Sequence, residues 1–351
     1  MSPHRQANIA SPRKPSGTGT GDPLERVLRR IRRTEDFPTI SRYVIEINQK
    51  LSEDVAQSSA SELANIILKD YALTSKLLKL VNSAFYGFIA CKVTTVTRAV
   101  VVLGYDNVRM AAVSLLLFEH FKSRSGAQDL KDAAVASFWC GLVAKEIAGI
   151  QRDVDPEEAF ICALLHQLGK LLTIYHLPKE YREIVFHVTQ GEETEARAAK
   201  RVLGVSYEAL GVAVAKQWNF PESILKTMAS PSMEKGPLPV EKGGKKGGRP
   251  DPLCSLTHFT NALGQMINTT APQDRGAAID TLLEAYEGRI TLSNKQLKAL
   301  VKASQENLLN HADALQFRVR ESRFLRQLSG EDPLSEENGG DGSDGGTKED
   351  R

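Results

Sequence analysis

Few segments of this sequence place reactive side chains close together, and the clearest is residues 163–170, A-L-L-H-Q-L-G-K. His166, Gln167 and Lys170 are the polar members of this otherwise apolar segment. An imidazole can bind a metal ion or transfer a proton at physiological pH. A single histidine on an apolar helix is more often a hydrogen-bonded core residue, and we favour that interpretation of His166 over a metal ligand.

A second motif lies upstream, where residues 82–87 read N-S-A-F-Y-G. We expect Asn82 to cap the end of a helix and Tyr86 to pack against the core, and a groove for a ligand or partner is the alternative. The two tryptophans, Trp139 and Trp218, are interpreted as core anchors in preference to residues that stack on a ligand.

A third motif, residues 98–109, reads R-A-V-V-V-L-G-Y-D-N-V-R and ends at Arg109. Acidic residues lie at Asp70 and Asp106, and we predict that Arg109 pairs with one of them between two helical halves. We favour this structural role over substrate binding.

In this order and spacing, the three motifs resemble the HDOD domain, the HD-related output domain of signalling proteins. That family reads close to R-D-P-x-L-x-x-K-x-L-x-x-x-N-S-x-x-Y-G and then A-I-x-x-L-G-x-x-x-V/L-R, and Tyr71 stands where proline is usual. The related HD phosphohydrolases have L-L-H-D-x-G-K where this chain has L-L-H-Q-L-G-K. The resemblance covers about residues 35–230 and implies an all-α, HD-like multi-helix bundle in two packed helical subdomains.

The resemblance implies a comparison with the chemistry of HD phosphohydrolases. In those enzymes, histidines and aspartates hold a divalent ion, and the ion activates a water molecule that attacks phosphorus. Only His166 of the expected ligands is present here, and the other positions hold Gly141, Gln167, Ser206, Tyr207, Ala229 and Ser230. One neutral imidazole without an anionic ligand cannot hold a catalytic cation. We therefore expect no catalytic residue, no metal and no cofactor, and we interpret His166, Gln167 and Lys170 as the remnant of the motif.

The resemblance implies a role in bacterial signal transduction. Our leading hypothesis is a non-enzymatic regulatory module that binds signalling proteins in trans, or a cyclic dinucleotide second messenger. The candidate surface for a ligand or partner consists of Asn82, Tyr86, Arg109 and Trp218.

Two alternative functions remain open from the sequence. The first is a residual metal-dependent phosphohydrolase with substitute ligands drawn from Glu195, Glu208 and His258. The second is a nucleic-acid-binding regulator that uses the basic residues 26–33 and 242–249 to contact phosphates. We rank nucleic acid as an unlikely partner because the chain between its two charged ends is nearly neutral.

The charge of the chain is small overall but unevenly distributed. The 351 residues include 45 Lys and Arg against 43 Asp and Glu, a net charge of +2, and the 41% hydrophobic content is typical of globular proteins. Residues 1–33 hold eight basic and two acidic side chains, whereas residues 329–351 hold eight acidic and two basic ones.

Composition and helical periodicity divide the chain into five parts. We predict a disordered basic segment, an HDOD domain with a leading helix, a flexible basic Gly/Pro-rich loop, a C-terminal helical extension and a disordered acidic tail. Their bounds are 1–22, 23–230, 231–252, 253–328 and 329–351.

The apolar periodicity predicts the helices that must position the motifs. They lie at residues 72–82, 98–103, 133–150, 195–202, 207–217, 221–229, 253–267 and 277–286, with longer helices at 156–174 and 294–325. Helix-end signals support them: a capping box at Ser59 and Glu62, Gly87 as a C-cap, Asp106 as an N-cap, and Asp155 before Pro156.

The cysteines and the apolar stretches indicate the cellular compartment in which we expect the protein. Cys91, Cys140, Cys162 and Cys254 are far apart and form no C-x-x-C pair, which is typical of reduced thiols in a cytosolic protein. The first residues lack the apolar core of a secretory signal, and the apolar stretches are shorter than the roughly 20 residues of a membrane span. We expect a cytoplasmic protein without a membrane span.

Overall fold

The computed structural model describes residues 22–49, 60–83, 86, 92–122, 128–191, 193–229, 251–314 and 319–330. Every regular element within these residues is a helix, which confirms the all-α prediction. The α-helices are α1 (Pro23–Arg32), α2 (Phe37–Gln49), α3 (Ala60–Ile67), α4 (Tyr71–Val81), α5 (Val96–Leu103), α6 (Tyr105–Lys122), α7 (Gln128–Gln151), α8 (Pro156–Leu165), α9 (Leu168–His176), α10 (Pro178–Thr189), α11 (Glu195–Leu203), α12 (Tyr207–Gln217), α13 (Glu222–Ala229), α14 (Pro252–Thr269), α15 (Arg275–Ala285), α16 (Asn294–Ala314) and α17 (Arg323–Ser329). Two short 3₁₀ helices cover Pro272–Asp274 and Val319–Glu321.

The helices form two packed groups, as predicted. In the first, α2 and α4 pack on α6, and α5 packs on α3, α4 and α6. In the second, α7 and α8 pack side by side, α14 contacts both, and α9 packs on α10 and α12. Helix α6 also contacts α7 and α8, and the buried side chains of both groups form one continuous core. The two groups are therefore halves of one packed body.

Helix α7 lies at the centre of the second group, where it contacts α8, α14, α16 and α17. Trp139 on α7 is fully buried, and its indole Nε1 donates a hydrogen bond to Ser304 Oγ at 2.8 Å. Among the described helices, α7 alone is by itself long and apolar enough to cross a membrane. The most apolar window of α7 is 67% buried within the protein, as in the core helix of a packed bundle.

The predicted helix over residues 156–174 is wrong as one continuous element. It starts as expected, because Asp155 accepts hydrogen bonds from the backbone amides of Glu157 and Glu158 and Pro156 occupies the first turn. It is interrupted at Gln167, whose ψ of 17° lies outside the helical range, so that α8 and α9 are separate helices. The interruption falls where the side chains of His166 and Gln167 bond to other helices.

The structure corrects three other helix boundaries. The helix predicted over residues 294–325 ends at Ala314 as α16, and Ser322 caps a separate helix α17 by accepting from the amide of Phe324. Helix α6 starts at Tyr105, so Asp106 lies inside its first turn and does not cap it. Helix α14 starts at Pro252, one residue before the predicted start at Leu253, and Asp251 caps it by accepting from the amide of Leu253.

Several predictions concern residues outside the described part of the chain. These are the cap residues Ser59 and Gly87, the thiol of Cys91, and residues 1–21, 231–250 and 331–351. The bounds of the five predicted parts stay a prediction.

Candidate functional site

The remnant motif is built around two histidines that share one backbone oxygen. His166 Nδ1 and His258 Nε2 each lie 3.1 Å from the carbonyl oxygen of Thr227 in α13, and the two ring centroids are 5.0 Å apart. Because a carbonyl can only accept, both bonded nitrogens carry the proton. This geometry fixes the tautomer of each neutral ring.

Burial keeps the two imidazoles neutral. Removal from water and the neighbouring His258 lower the pKa of His166 to about 3. Burial also lowers the pKa of His258, although the Thr227 carbonyl and the Glu208 carboxylate act in the opposite direction. At neutral pH, the pair therefore has no charge.

The two other motif residues are held by specific partners. The Gln167 Nε2 donates to Asn261 Oδ1 on α14 at 3.2 Å, and the amide of Asn261 donates to the Ala163 carbonyl at 3.2 Å. The Lys170 Nζ lies 2.8 Å from Glu195 Oε2, at the start of α11. The ammonium of Lys170 thus neutralises the carboxylate that lies nearest to it.

These residues line an open cavity of about 480 Å³ between α7, α9, α11, α12 and α14. Tyr181, Tyr207 and Glu208 line it together with the motif residues. Burial first, and then the charge of Glu195, raise the pKa of both tyrosines, so their phenols stay protonated. The cavity is lined by both apolar and polar groups and has the size of a small-molecule site.

The donor set does not fit the divalent metal that the HD superfamily implies. His166 uses Nδ1 to bind Thr227, Gln167 replaces a carboxylate with a neutral amide, and Glu195 is paired with Lys170. Within the described residues, no group of three or more His, Cys, Asp or Glu side chains could hold a metal ion. The residues at the motif positions therefore offer no anionic ligand shell of the kind that a hard cation needs, although Asp129, Asp132 and Glu208 also line the cavity.

The glycine of the motif has a packing role. A Cβ atom added at Gly169 would lie 1.9 Å from the carbonyl oxygen of Tyr207 and 2.9 Å from the amide nitrogen of Gly211. Helices α9 and α12 thus meet backbone to backbone at this point, which places Lys170 beside Tyr207 and Glu195. The L-G-K part of the motif is explained by this contact.

Asn82 has the structural role that we favoured. It caps α4, its amide donates to the carbonyls of Leu78 and Val93 at 2.7 Å, and its Oδ1 accepts from the amide of Val93 at 2.8 Å. Tyr86 lines a separate apolar cavity of about 20 Å³ and places its ring 5.2 Å from Lys145 Nζ. Both residues join elements of the fold.

Arg109 and Trp218 are interior residues, which corrects their assignment to a candidate surface. Arg109 is 2% exposed and donates to Asp106, on its own helix, and to Asn48 Oδ1 at 2.8 Å. Asn48 in turn donates to the carbonyl of Trp218 at 2.8 Å, and the buried Trp218 indole donates to Ser41. The predicted pairing with Asp106 is present, but Asn48 makes the connection between the two helical halves.

The substitute ligands proposed from the sequence all reach the cavity. Glu195, Glu208 and His258 line it together with His166. The sequence reasoning missed Asn261, Thr227 and Tyr181, which have no motif spacing to reveal them. Asn261 lies about 95 residues after the motif, and α14 is brought to the motif by packing on α7, α8 and α13.

The fold and the position of the remnant motif define an HD-like, all-helical protein. A family model described as the HDOD domain matches residues 37–232, more than half of the chain. The chain belongs to the HDOD domain family.

The comparison with curated proteins gives one distant relative. The chain is 26% identical over 202 residues to an uncharacterized protein of Treponema pallidum (strain Nichols). The match covers 56% of this chain and 37% of that protein, so the chain spans little more than a third of that relative's length.

Solved structures show the same fold. A candidate phosphohydrolase from Shewanella amazonensis SB2B has a TM-score of 0.58 at 20% identity, covering 84% of this chain and 98% of that one. An HDOD domain protein with unknown function from Geobacter sulfurreducens has a TM-score of 0.55 at 20% identity, covering 82% and 99%. A candidate signal transduction protein from Marinobacter aquaeolei VT8 has a TM-score of 0.51 at 17% identity, covering 84% and 66%. At these identities, the likeness concerns the fold.

Proposed function

We propose that the chain is a non-enzymatic signal-transduction module of bacterial type that acts by binding signalling proteins in trans. The observation that carries this proposal is the amide of Gln167, which donates to Asn261 where an HD phosphohydrolase has a metal-binding carboxylate. A neutral amide in a hydrogen bond of this kind supports a structural role for the motif.

The charges around the motif support the same proposal. Hydrolysis of a phosphate ester by an HD-type mechanism needs a cation that lowers the pKa of a bound water molecule. Here the carboxylate of Glu195 is neutralised by Lys170, and His166 is neutral and bonded to Thr227. These residues therefore provide no excess positive charge that could stabilise the phosphate group of a substrate.

Exposed apolar side chains in the first helical group support a protein partner. Four of the exposed large apolar side chains belong to this group: Leu68 follows α3, Tyr71 begins α4, and Val101 and Val102 lie in α5, which packs on α3 and α4. Tyr71 is 86% exposed and Val101 is 72% exposed. Apolar groups on a surface are typical of protein–protein contacts when they are close together.

The other candidate functions receive less support. Phosphates of a cyclic dinucleotide would need free cations, but Lys170 in the cavity is already paired with Glu195. In the basic helix α1, Arg30 pairs with Glu180 and Arg32 lies 3.8 Å from Glu25, which weakens a nucleic-acid surface. The buried thiols of Cys140 and Cys162 form no disulfide, which supports a cytoplasmic location as part of the proposal.

A hydrolysis assay tests the non-enzymatic part of the proposal. The wild-type chain and His166→Ala are incubated with cyclic dinucleotides and with bis(p-nitrophenyl) phosphate in the presence of Mn²⁺. We expect equal background rates for the two proteins. Turnover that the wild type shows and His166→Ala loses would contradict the proposal.

Affinity capture from the native organism tests the binding part. The tagged wild type is compared with Tyr71→Ser/Val101→Ser and with a control, Phe186→Ser, which removes an exposed apolar side chain from α10. We expect a signalling protein that the wild type and the control retain and the double variant loses. Equal capture by all three proteins would exclude this surface, and the absence of any specific partner would contradict the proposed function.

A further inference from the structure

The cavity at the remnant motif has hydrogen-bond acceptors that the protein itself does not use. Since Thr227 accepts from His166 Nδ1 and His258 Nε2, the opposite ring nitrogens carry lone pairs. Neither His166 Nε2 nor His258 Nδ1 has a hydrogen-bond partner among the described residues, although His258 is only 8% exposed. Both rings line the cavity, so these lone pairs are available to a ligand that donates hydrogen bonds.

The electrostatic field of the cavity is negative. Its lining contains four carboxylates, those of Asp129, Asp132, Glu195 and Glu208, but two permanent cations, Lys170 and Arg323. Lys170 is occupied by Glu195 at 2.8 Å, and Arg323 lies 3.7 Å from Asp129 and 3.8 Å from Asp132. Glu208 takes part in none of these ion pairs among the described residues of the lining.

The pKa values of Tyr181 and Tyr207 are raised in part by the same carboxylates. After burial, the largest causes that raise the pKa of Tyr181 are the carboxylates of Glu195, Asp129 and Asp132. Burial is also the largest cause that raises the pKa of Tyr207, followed by Glu195, Tyr181 and Glu208. These directions agree with the excess of carboxylates over cations in the cavity lining, which disfavours anions and favours cations.

We propose that this cavity binds a small organic cation that donates several hydrogen bonds, such as an alkylammonium or guanidinium compound. Glu208 supplies the unpaired negative charge, and His258 Nδ1 and His166 Nε2 accept hydrogen bonds from the ligand. The volume of about 480 Å³ suits a ligand of metabolite size. The chemical class is opposite to that of a phosphate ester, the substrate class that the fold would suggest.

This proposal goes beyond partner binding, since it assigns a ligand to a cavity in the second helical group. The apolar residues proposed for a protein partner lie in the first group. A failure of one proposal therefore leaves the other unchanged.

Isothermal titration calorimetry of the full chain tests the proposal with three probes, putrescine, spermidine and agmatine, and with inorganic phosphate as the anionic comparison. We expect at least one amine to bind with a one-to-one stoichiometry and phosphate to give no heat. Glu208→Gln should weaken amine binding at least tenfold, whereas Glu222→Gln, an exposed residue of α13 outside the cavity lining, should leave it unchanged.

A second substitution guards against indirect effects, because His258→Phe removes the ring nitrogens and keeps an aromatic ring. It should also weaken amine binding, and thermal unfolding of each variant without probe establishes that it is folded. The proposal is overturned if none of the three amines binds, if phosphate binds more tightly, or if Glu208→Gln and Glu222→Gln behave alike. Stoichiometric binding of Zn²⁺ that blocks the amines and is lost in His258→Phe would reassign the cavity to a metal and overturn the proposal as well.

Discussion

His166 and His258 meet at a single backbone oxygen, the Thr227 carbonyl, which lies 3.1 Å from Nδ1 of the first and from Nε2 of the second. The contact joins the α8–α9 turn, α13 and α14, three elements that are distant in sequence. The histidine of the motif thus serves as a neutral hydrogen-bond donor in the core, and its other ring nitrogen lines a cavity with a negative field.

Acid should destabilise the protein through His166. Its pKa is about 3 in the folded state and about 6.5 in an unfolded chain, so the unfolded state takes up the proton first as the pH falls. Stability should therefore fall between about pH 6.5 and pH 3, with about 2 kcal/mol lost by pH 5 from this residue. In His166→Asn, which can still donate to Thr227, urea unfolding at pH 7 and pH 5 should show a loss smaller by about that amount. Parallel losses in the two proteins would contradict this prediction.

Helix α9 should not tolerate a side chain at Gly169. Because the new Cβ would lie 1.9 Å from the Tyr207 carbonyl oxygen, Gly169→Ala should force α9 and α12 apart and destabilise the fold by about 3 kcal/mol or more. Gly149→Ala is the matched control, since nothing lies within 4 Å of its Cβ position on α7. The control should be neutral or up to about 1 kcal/mol more stable in chemical unfolding. Equal stability of the two variants would show that the backbone contact is not tight.

The connection between the two helical halves should depend on Asn48. Asn48→Ala removes a partner from the buried Arg109 guanidinium and from the Trp218 carbonyl, so we expect a loss of about 2–4 kcal/mol. Asn107→Ala, the control, removes one bond to the Leu103 carbonyl and should cost less than about 1 kcal/mol. Urea unfolding measures both. Similar small losses would mean that the two halves do not depend on this bridge.

Most helices of the fold can be predicted from the sequence, because apolar periodicity and helix-end signals depend on residues that are close together in the chain. Apolar periodicity locates α4, α5, α7, α12 and α14, and the strongest start signal, Asp155 before Pro156, is confirmed. The predicted helix boundaries are wrong where contacts between helices that are distant in sequence determine where a helix starts or ends. The interruption at Gln167 coincides with side-chain hydrogen bonds from the α8–α9 turn to α13 and α14. Ser322 starts α17, and the hydroxyl of Ser322 donates a hydrogen bond to Asp132 of α7.

The site is predictable only in part. The motif identifies His166, Gln167 and Lys170, and chemical type alone suggests Glu195, Glu208 and His258 as neighbours. The partners Thr227 and Asn261 could not be predicted, because their roles follow from the packing of α13 and α14 on α8. The core-anchor interpretation of Trp218 and the structural pairing of Arg109 agree with their burial, whereas their assignment to a candidate surface is wrong.

The metal content of the purified protein tests the central claim most directly. The chain is purified without chelator, and Fe, Mn and Zn are measured by inductively coupled plasma mass spectrometry alongside His166→Ala. Since Gln167 replaces the carboxylate of the motif and Lys170 neutralises Glu195, we expect far less than one metal ion per chain in both proteins. One equivalent of Fe, Mn or Zn that is present in the wild type and lost in His166→Ala would contradict the account.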